Sequence, residues 1–173
     1  GSIAPVKRIE DAIEAYKIAR ANIPNLKLTI IGKTERAYEE YKSYLQEKIA
    51  HDESVTFLEN APEEEKKAWL KKSHLLLMTS KKEGYGLVIL EAASCGTPSI
   101  GYRTYGIQDA IVHTKTGILT DENNPDSLAK SICTLLSNPA RYTNMQQAAF
   151  AHATTHRERS TTLAFERIVD ERP

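Results

Sequence analysis

The apolar positions of this chain alternate between two spacings. Five short apolar runs have strand length, at 26–32, 55–58, 74–79, 99–102 and 117–120. Between them the apolar residues recur at helical spacing. From Arg8 to Ile23, residues Ile9, Ala12, Ile13, Tyr16 and Ala19 share one face, and Pro24-Asn25 closes the segment. Glu35 to Ala50 carries Tyr38, Tyr41, Tyr44 and Leu45. Pro62 opens a helix that reaches Lys72, with Glu63, Glu64 and Glu65 in the first turn where the dipole favours acids. A further helix starts at Leu87, repeats through Leu90, Ala93 and Ser94, and stops at Gly96 and Pro98. Gly106 begins a short helix through Ile111. Helices over 125–137, 140–153 and 161–170 complete the chain.

Strands alternating with helices in this way predict an α/β fold of βα units, a doubly wound parallel sheet, whose ligands bind at the carboxyl ends of the strands. Residues 3–173 form one domain. Gly1-Ser2 reads as an expression scar, and Ile3 to Lys7 is too short to supply a strand, so the sheet is expected to lack its first strand.

The chemistry gathers after the 74–79 run. Ser80 to Gly86 is loop-like, and Gly84 and Gly86 stand just ahead of a helix N-terminus, where free amides and the dipole favour an anion such as phosphate. Glu83 lies in that loop and Glu91 one turn into the helix, eight positions later. Carboxylates accept from hydroxyls while amides donate to phosphate, so the pair suits a polyhydroxylated, phosphorylated ligand. Taken singly, Glu83 is a solvated charge beside Lys81 and Lys82, and Glu91 is an acid that suits the dipole.

The run Glu83-Gly84-Tyr85-Gly86-Leu87-Val88-Ile89-Leu90-Glu91-Ala92, followed by Gly96-Thr97-Pro98, resembles the E-x7-E motif of retaining GT-B glycosyltransferases of the family 4 type, the glycosyl transferases group 1. Some twenty positions, 79–98, carry the resemblance by residue identity. It implies the Rossmann-like C-terminal, donor-binding half of a GT-B fold, working with an N-terminal acceptor domain outside this chain. Glu91 would accept from the ribose hydroxyls of a nucleotide sugar, and Glu83 would face the sugar. The backbone of Gly84, Tyr85, Gly86, Leu87 and Val88 would contact sugar and diphosphate, with glycine allowing the close approach. Tyr85 reads equally as a rim aromatic.

Ile3-Ala4-Pro5-Val6-Lys7-Arg8 resembles the family's R-L-x-P-x-K-G segment, in which the lysine binds the departing diphosphate. Lys7, otherwise an ordinary surface lysine, is therefore a catalytic candidate beside Glu83: a fixed cation stabilises a leaving group as charge grows on it. No Asp-x-Asp pair or histidine cluster stands where a metal would be needed. The expectation is metal-independent hexosyl transfer with no cofactor beyond the nucleotide-sugar co-substrate; the acceptor is unknown.

The departures matter too. The family's second diphosphate ligand, an arginine, would fall on Ser2, leaving Arg8 as a substitute where the family has glycine. If Gly1-Ser2 is a scar, that arginine and its strand lie upstream; otherwise serine replaces it. Leu58-Glu59-Asn60 takes the place of a glycine-containing turn near the nucleobase. Gly106-Ile107-Gln108-Asp109 resembles a G-G-x-x-E turn, structural or near the diphosphate. The family's F-S-W signature is missing near Thr155-His156.

Lys plus Arg balances Asp plus Glu at 23 each, so nothing points to a nucleic-acid surface. No apolar run approaches the roughly 20 residues of a membrane span. Cys95 and Cys133 sit in apolar helical settings as reduced thiols, and a cytoplasmic protein is expected, peripheral to a membrane at most through the acceptor domain. Two other classes fit parts of the sequence. A non-catalytic GT-B-like interaction module would explain Ser2. A Rossmann-type oxidoreductase would need a glycine-rich turn after a strand, but Ile30-Ile31-Gly32-Lys33-Thr34 has a single glycine.

Overall fold

The computed structural model describes the backbone of residues 1–170 and the side chains of residues 1–156. Its first half runs β1 (Ser2–Ile3), α1 (Ile9–Arg20), β2 (Leu28–Thr34), α2 (Glu39–Lys48), β3 (Val55–Glu59) and α3 (Glu63–Lys72). The second runs β4 (Leu76–Met78), α4 (Leu87–Ser94), β5 (Ser99–Gly101), α5 (Ile107–Ala110), β6 (Gly117–Leu119), α6 (Pro125–Leu136) and α7 (Pro139–Asp170). All pairings are parallel, in two three-stranded sheets ordered β1-β2-β3 and β4-β5-β6. The α/β class and the five expected strands are all present.

Three expectations need correction. Residues 2–3 do form a strand: Ser2 pairs with Lys33 and Ile3 with Thr34. Two residues suffice because Ile3 is 1% exposed and packs over Gly32, where even a Cβ would come within 2.6 Å of its side chain. The helices expected at 140–153 and 161–170 are one helix, since no glycine or proline interrupts 140–172. On α4 the buried face is Ile89, Ala92 and Ala93, whereas Leu87 is 66% exposed.

The two sheets meet where the winding direction reverses. The Lys81 amide donates to the Val6 carbonyl at 2.9 Å, and the Thr79 hydroxyl donates to the Lys7 carbonyl at 2.7 Å. Helix α1 ties the halves together from below. Ile13 belongs to the apolar cluster of β1, β2 and α2, while Ala15 and Ala19 belong to the cluster of β5, α6 and α7. A break in direction between β1 and β4 is the switch point at which doubly wound sheets bind ligands. Lys7 follows β1 and Glu83 follows β4, so the fold delivers both to that place. Among the described residues no helix is long and apolar enough to cross a membrane.

Candidate donor site

Lys7 ends a 3-10 turn, Pro5–Lys7, and its ammonium lies 2.7 Å from Glu83 Oε1. Both side chains are largely covered, at 24% and 14% exposure. Ser80 Oγ donates to the same carboxylate oxygen at 2.6 Å. The Glu83 backbone is fixed as well: its amide donates to the Tyr105 carbonyl at 3.1 Å, and Thr104 Oγ1 donates to the Ser80 carbonyl at 2.9 Å. Gly106 lies so close beneath that a Cβ there would stand 2.4 Å from the Glu83 carbonyl oxygen, and its φ is +83°. The Gly106–Asp109 turn is therefore a brace for the Glu83 loop, with Asp109 Oδ2 accepting from the Gly106 amide at 3.2 Å.

Gly86 caps α4 in the left-handed region at φ +67°, which glycine adopts without strain. Gly84 has open space around its Cα. Among the described residues, the amides of Tyr85, Gly86, Leu87 and Val88 find no acceptor within the chain. Tyr85 is 45% exposed, with its ring 6.5 Å from that of His156. These amides and the Lys7 ammonium form a donor-rich rim able to hold an anion.

Glu91 lies further along α4. Lys66 Nζ, from α3, stands 2.9 Å from its Oε2 and 3.0 Å from Glu63 Oε2. The Glu91 oxygen is buried and meets Lys66 at ion-pair distance but outside hydrogen-bond geometry. Glu91, ahead of Glu63, holds the Lys66 ammonium above its ordinary value, against the opposing effect of burial. Lys66 also lines a cavity of about 310 Å³ with Gly32, Asn60 and Ala61, at the carboxyl ends of β2 and β3. Asn60, with φ +56°, turns the chain there in place of the expected glycine.

Arg8, the substitute cation suggested by sequence, is committed elsewhere. Its guanidinium meets Asp11 Oδ2 at 2.6 Å, covers the Tyr102 ring at 5.3 Å to the centroid and donates to the Asn123 carbonyl at 3.4 Å. Its φ of +48° explains why glycine suits this position. Gly32 sits inside β2, paired with Glu59, and not in a glycine-rich turn. A larger open depression, about 540 Å³, is walled by Arg20, Lys27, His51, Asp52 and Ser54. It lies at the amino ends of β2 and β3, and the Arg20–Asp52 pair at 2.8 Å occupies its wall, so the smaller cavity is the better candidate. Among the described residues no group of three or more His, Cys, Asp or Glu could hold a metal ion.

The structure brings Lys7, Glu83, Gly84 and Gly86, all singled out from the sequence, to one place at the switch point and sets Glu91 further along α4. Two contacts carried no signal in the sequence: Lys66, in an acidic helix start, against Glu91, and Ser80, three residues ahead of Glu83, against Glu83.

A parallel, doubly wound sheet whose switch point carries a helix start with free amides is a Rossmann-like α/β architecture. Residues 1–152 match the family model of glycosyl transferases group 1, and the chain belongs to that family. Two curated relatives are each 32% identical to it. D-inositol 3-phosphate glycosyltransferase of Pseudarthrobacter chlorophenolicus aligns over 88% of this chain and 37% of its own length. N-acetyl-alpha-D-glucosaminyl L-malate synthase of Bacillus anthracis aligns over 83% and 36%. Among solved structures, Anabaena Alr3699/HepE in complex with UDP and glucose superposes with a TM-score of 0.80 at 23% identity, over 95% of this chain and 46% of that one. The fold is thus the Rossmann-like part of a GT-B glycosyltransferase, and the chain spans little more than a third of the length of these curated relatives.

Proposed function

We propose that this chain is the donor-binding half of a retaining, metal-independent hexosyltransferase. The observation that carries the reading is the meeting of Lys7 and Glu83 at 2.7 Å beside the unpartnered amides that open α4. A nucleoside diphosphate sugar would lay its diphosphate on those amides and on Lys7. As the bond from the anomeric carbon to the diphosphate breaks, through a glycosyl-cation-like transition state, Lys7 offsets the charge growing on the leaving group. Glu83 would orient the sugar, and Glu91 would accept from the ribose hydroxyls. An N-terminal domain would present the acceptor and complete the cleft that excludes water. On this reading the site would work in the cytoplasm.

One observation favours a non-catalytic relative instead: Ser2 stands on β1 where the family has its arginine, and Arg8 is held by Asp11. Titration with UDP, GDP and ADP, followed by heteronuclear NMR on the wild type and on Glu91→Ala, tests the donor site. Shifts at Gly86 to Glu91 with one nucleotide, lost in the variant, would support it. Binding without any transfer by the protein paired with its acceptor domain would favour the non-catalytic reading.

A further inference from the structure

We infer that Lys66 is a positioning residue for Glu91, holding its carboxylate ready for a ribose diol and making the pair a sensor of the 2′ hydroxyl. This rests on the donor-site reading above. Lys66 and Glu91 come from different helices, α3 and α4, and touch only because the fold sets those helices side by side. The Lys66 ammonium lies 2.9 Å from Glu91 Oε2 and 3.0 Å from Glu63 Oε2, an ion pair with each carboxylate. The Glu91 side chain is 43% exposed, so without a partner it would sample several rotamers and lose that freedom when a ligand bound. Lys66 removes the freedom beforehand.

The same contact leaves acceptor capacity unused. Glu91 Oε2 is buried yet has no hydrogen bond of proper geometry, and buried polar atoms without a partner are rare. Lys66 meanwhile lines the cavity of about 310 Å³, within the range of roughly 300–1,000 Å³ typical of small-molecule sites. Cavity, ammonium and carboxylate are therefore contiguous. A base seated against Gly32 and Asn60 would bring its ribose to the Lys66–Glu91 pair.

The test is the affinity ratio between a ribonucleoside diphosphate and its 2′-deoxy counterpart. It is measured by calorimetry with whichever of UDP, GDP and ADP binds best. The wild type should favour the ribonucleotide about tenfold, the effect of one hydrogen bond to a charged group. Glu91→Ala should bring the ratio near one, Lys66→Met should do the same, and Lys66→Arg should keep most of it. Thermal unfolding of each variant checks the fold, with Lys66→Gln replacing the methionine variant if that one does not fold. Equal weakening of both nucleotides in Lys66→Met, with the ratio intact, would overturn the inference and leave the donor site standing. An unchanged ratio in Glu91→Ala, or no nucleotide bound by the wild type, would remove the donor-site reading and this inference with it.

Discussion

Lys7 and Glu83 are separated by 76 positions and form a 2.7 Å ion pair across the junction of the two sheets. The contact is possible because each residue lies in the segment that follows a strand at the switch point, one from each sheet. In the free protein each charge neutralises the other.

Replacing Lys7 by Met should lower sugar transfer about a hundredfold, the usual loss on removing one preorganised group that stabilises a developing anion. On the proposed mechanism the substrate KM should change less than kcat, because the cation would matter most as the diphosphate departs. Stability should fall as well, by about 1–3 kcal/mol, since the largely covered Glu83 carboxylate is left with Ser80 alone. Steady-state kinetics of the protein with the proposed acceptor domain, alongside thermal unfolding, would separate the two effects.

Gly106 admits no side chain. Gly106→Ala would drive a methyl group to within 2.4 Å of the Glu83 carbonyl oxygen at a φ of +83°. A cost of about 1–3 kcal/mol is expected from steric overlap and left-handed backbone. Because the collision falls on the Glu83 loop, nucleotide affinity should drop with stability, as calorimetry on the variant would show. Undiminished affinity would mean that the loop is not held by this contact.

Tyr102 is fully buried and donates through its hydroxyl to Asp11 Oδ2 at 2.7 Å. Burial, with Asp11 next, pushes its phenol above the ordinary range, so it remains a donor throughout the neutral region. Tyr102→Phe removes the bond and leaves Asp11 with Arg8. Destabilisation of about 1–2 kcal/mol should follow, visible as a lower Tm by differential scanning calorimetry, with nucleotide binding unaffected.

Acid stability should depend on Asp52. Hydrogen bonds from Ser54, reinforced by Arg20, hold its carboxyl below the ordinary value of 3.8. A depressed folded value means that the unfolded chain takes up the proton first. The stabilisation is thus complete above pH 3.8 and disappears as pH falls through the lower folded value. Urea unfolding across the acid range should show a flatter loss of stability in Asp52→Asn than in the wild type.

The sequence by itself determined what depends on neighbours along the chain. Alternating apolar periodicities fixed the order of strands and helices, because each spacing allows only one regular backbone a single apolar face. The loop, its glycines and the carboxylates at Glu83 and Glu91 were legible for the same reason: strand end, turn and helix start are consecutive. Periodicity was weaker where the apolar run was too uniform to choose a face, and Leu87 on α4 proved exposed. Tertiary structure decided everything that joins distant segments. It made a strand of two residues, Ser2 and Ile3, because β2 offered open hydrogen bonds and Gly32 made room. It set Lys7 on Glu83, Lys66 on Glu91 and Gly106 beneath the Glu83 loop, and it committed Arg8 to Asp11. A residue's chemical type limits which partners it accepts; only the packing of whole elements brings one of them within reach.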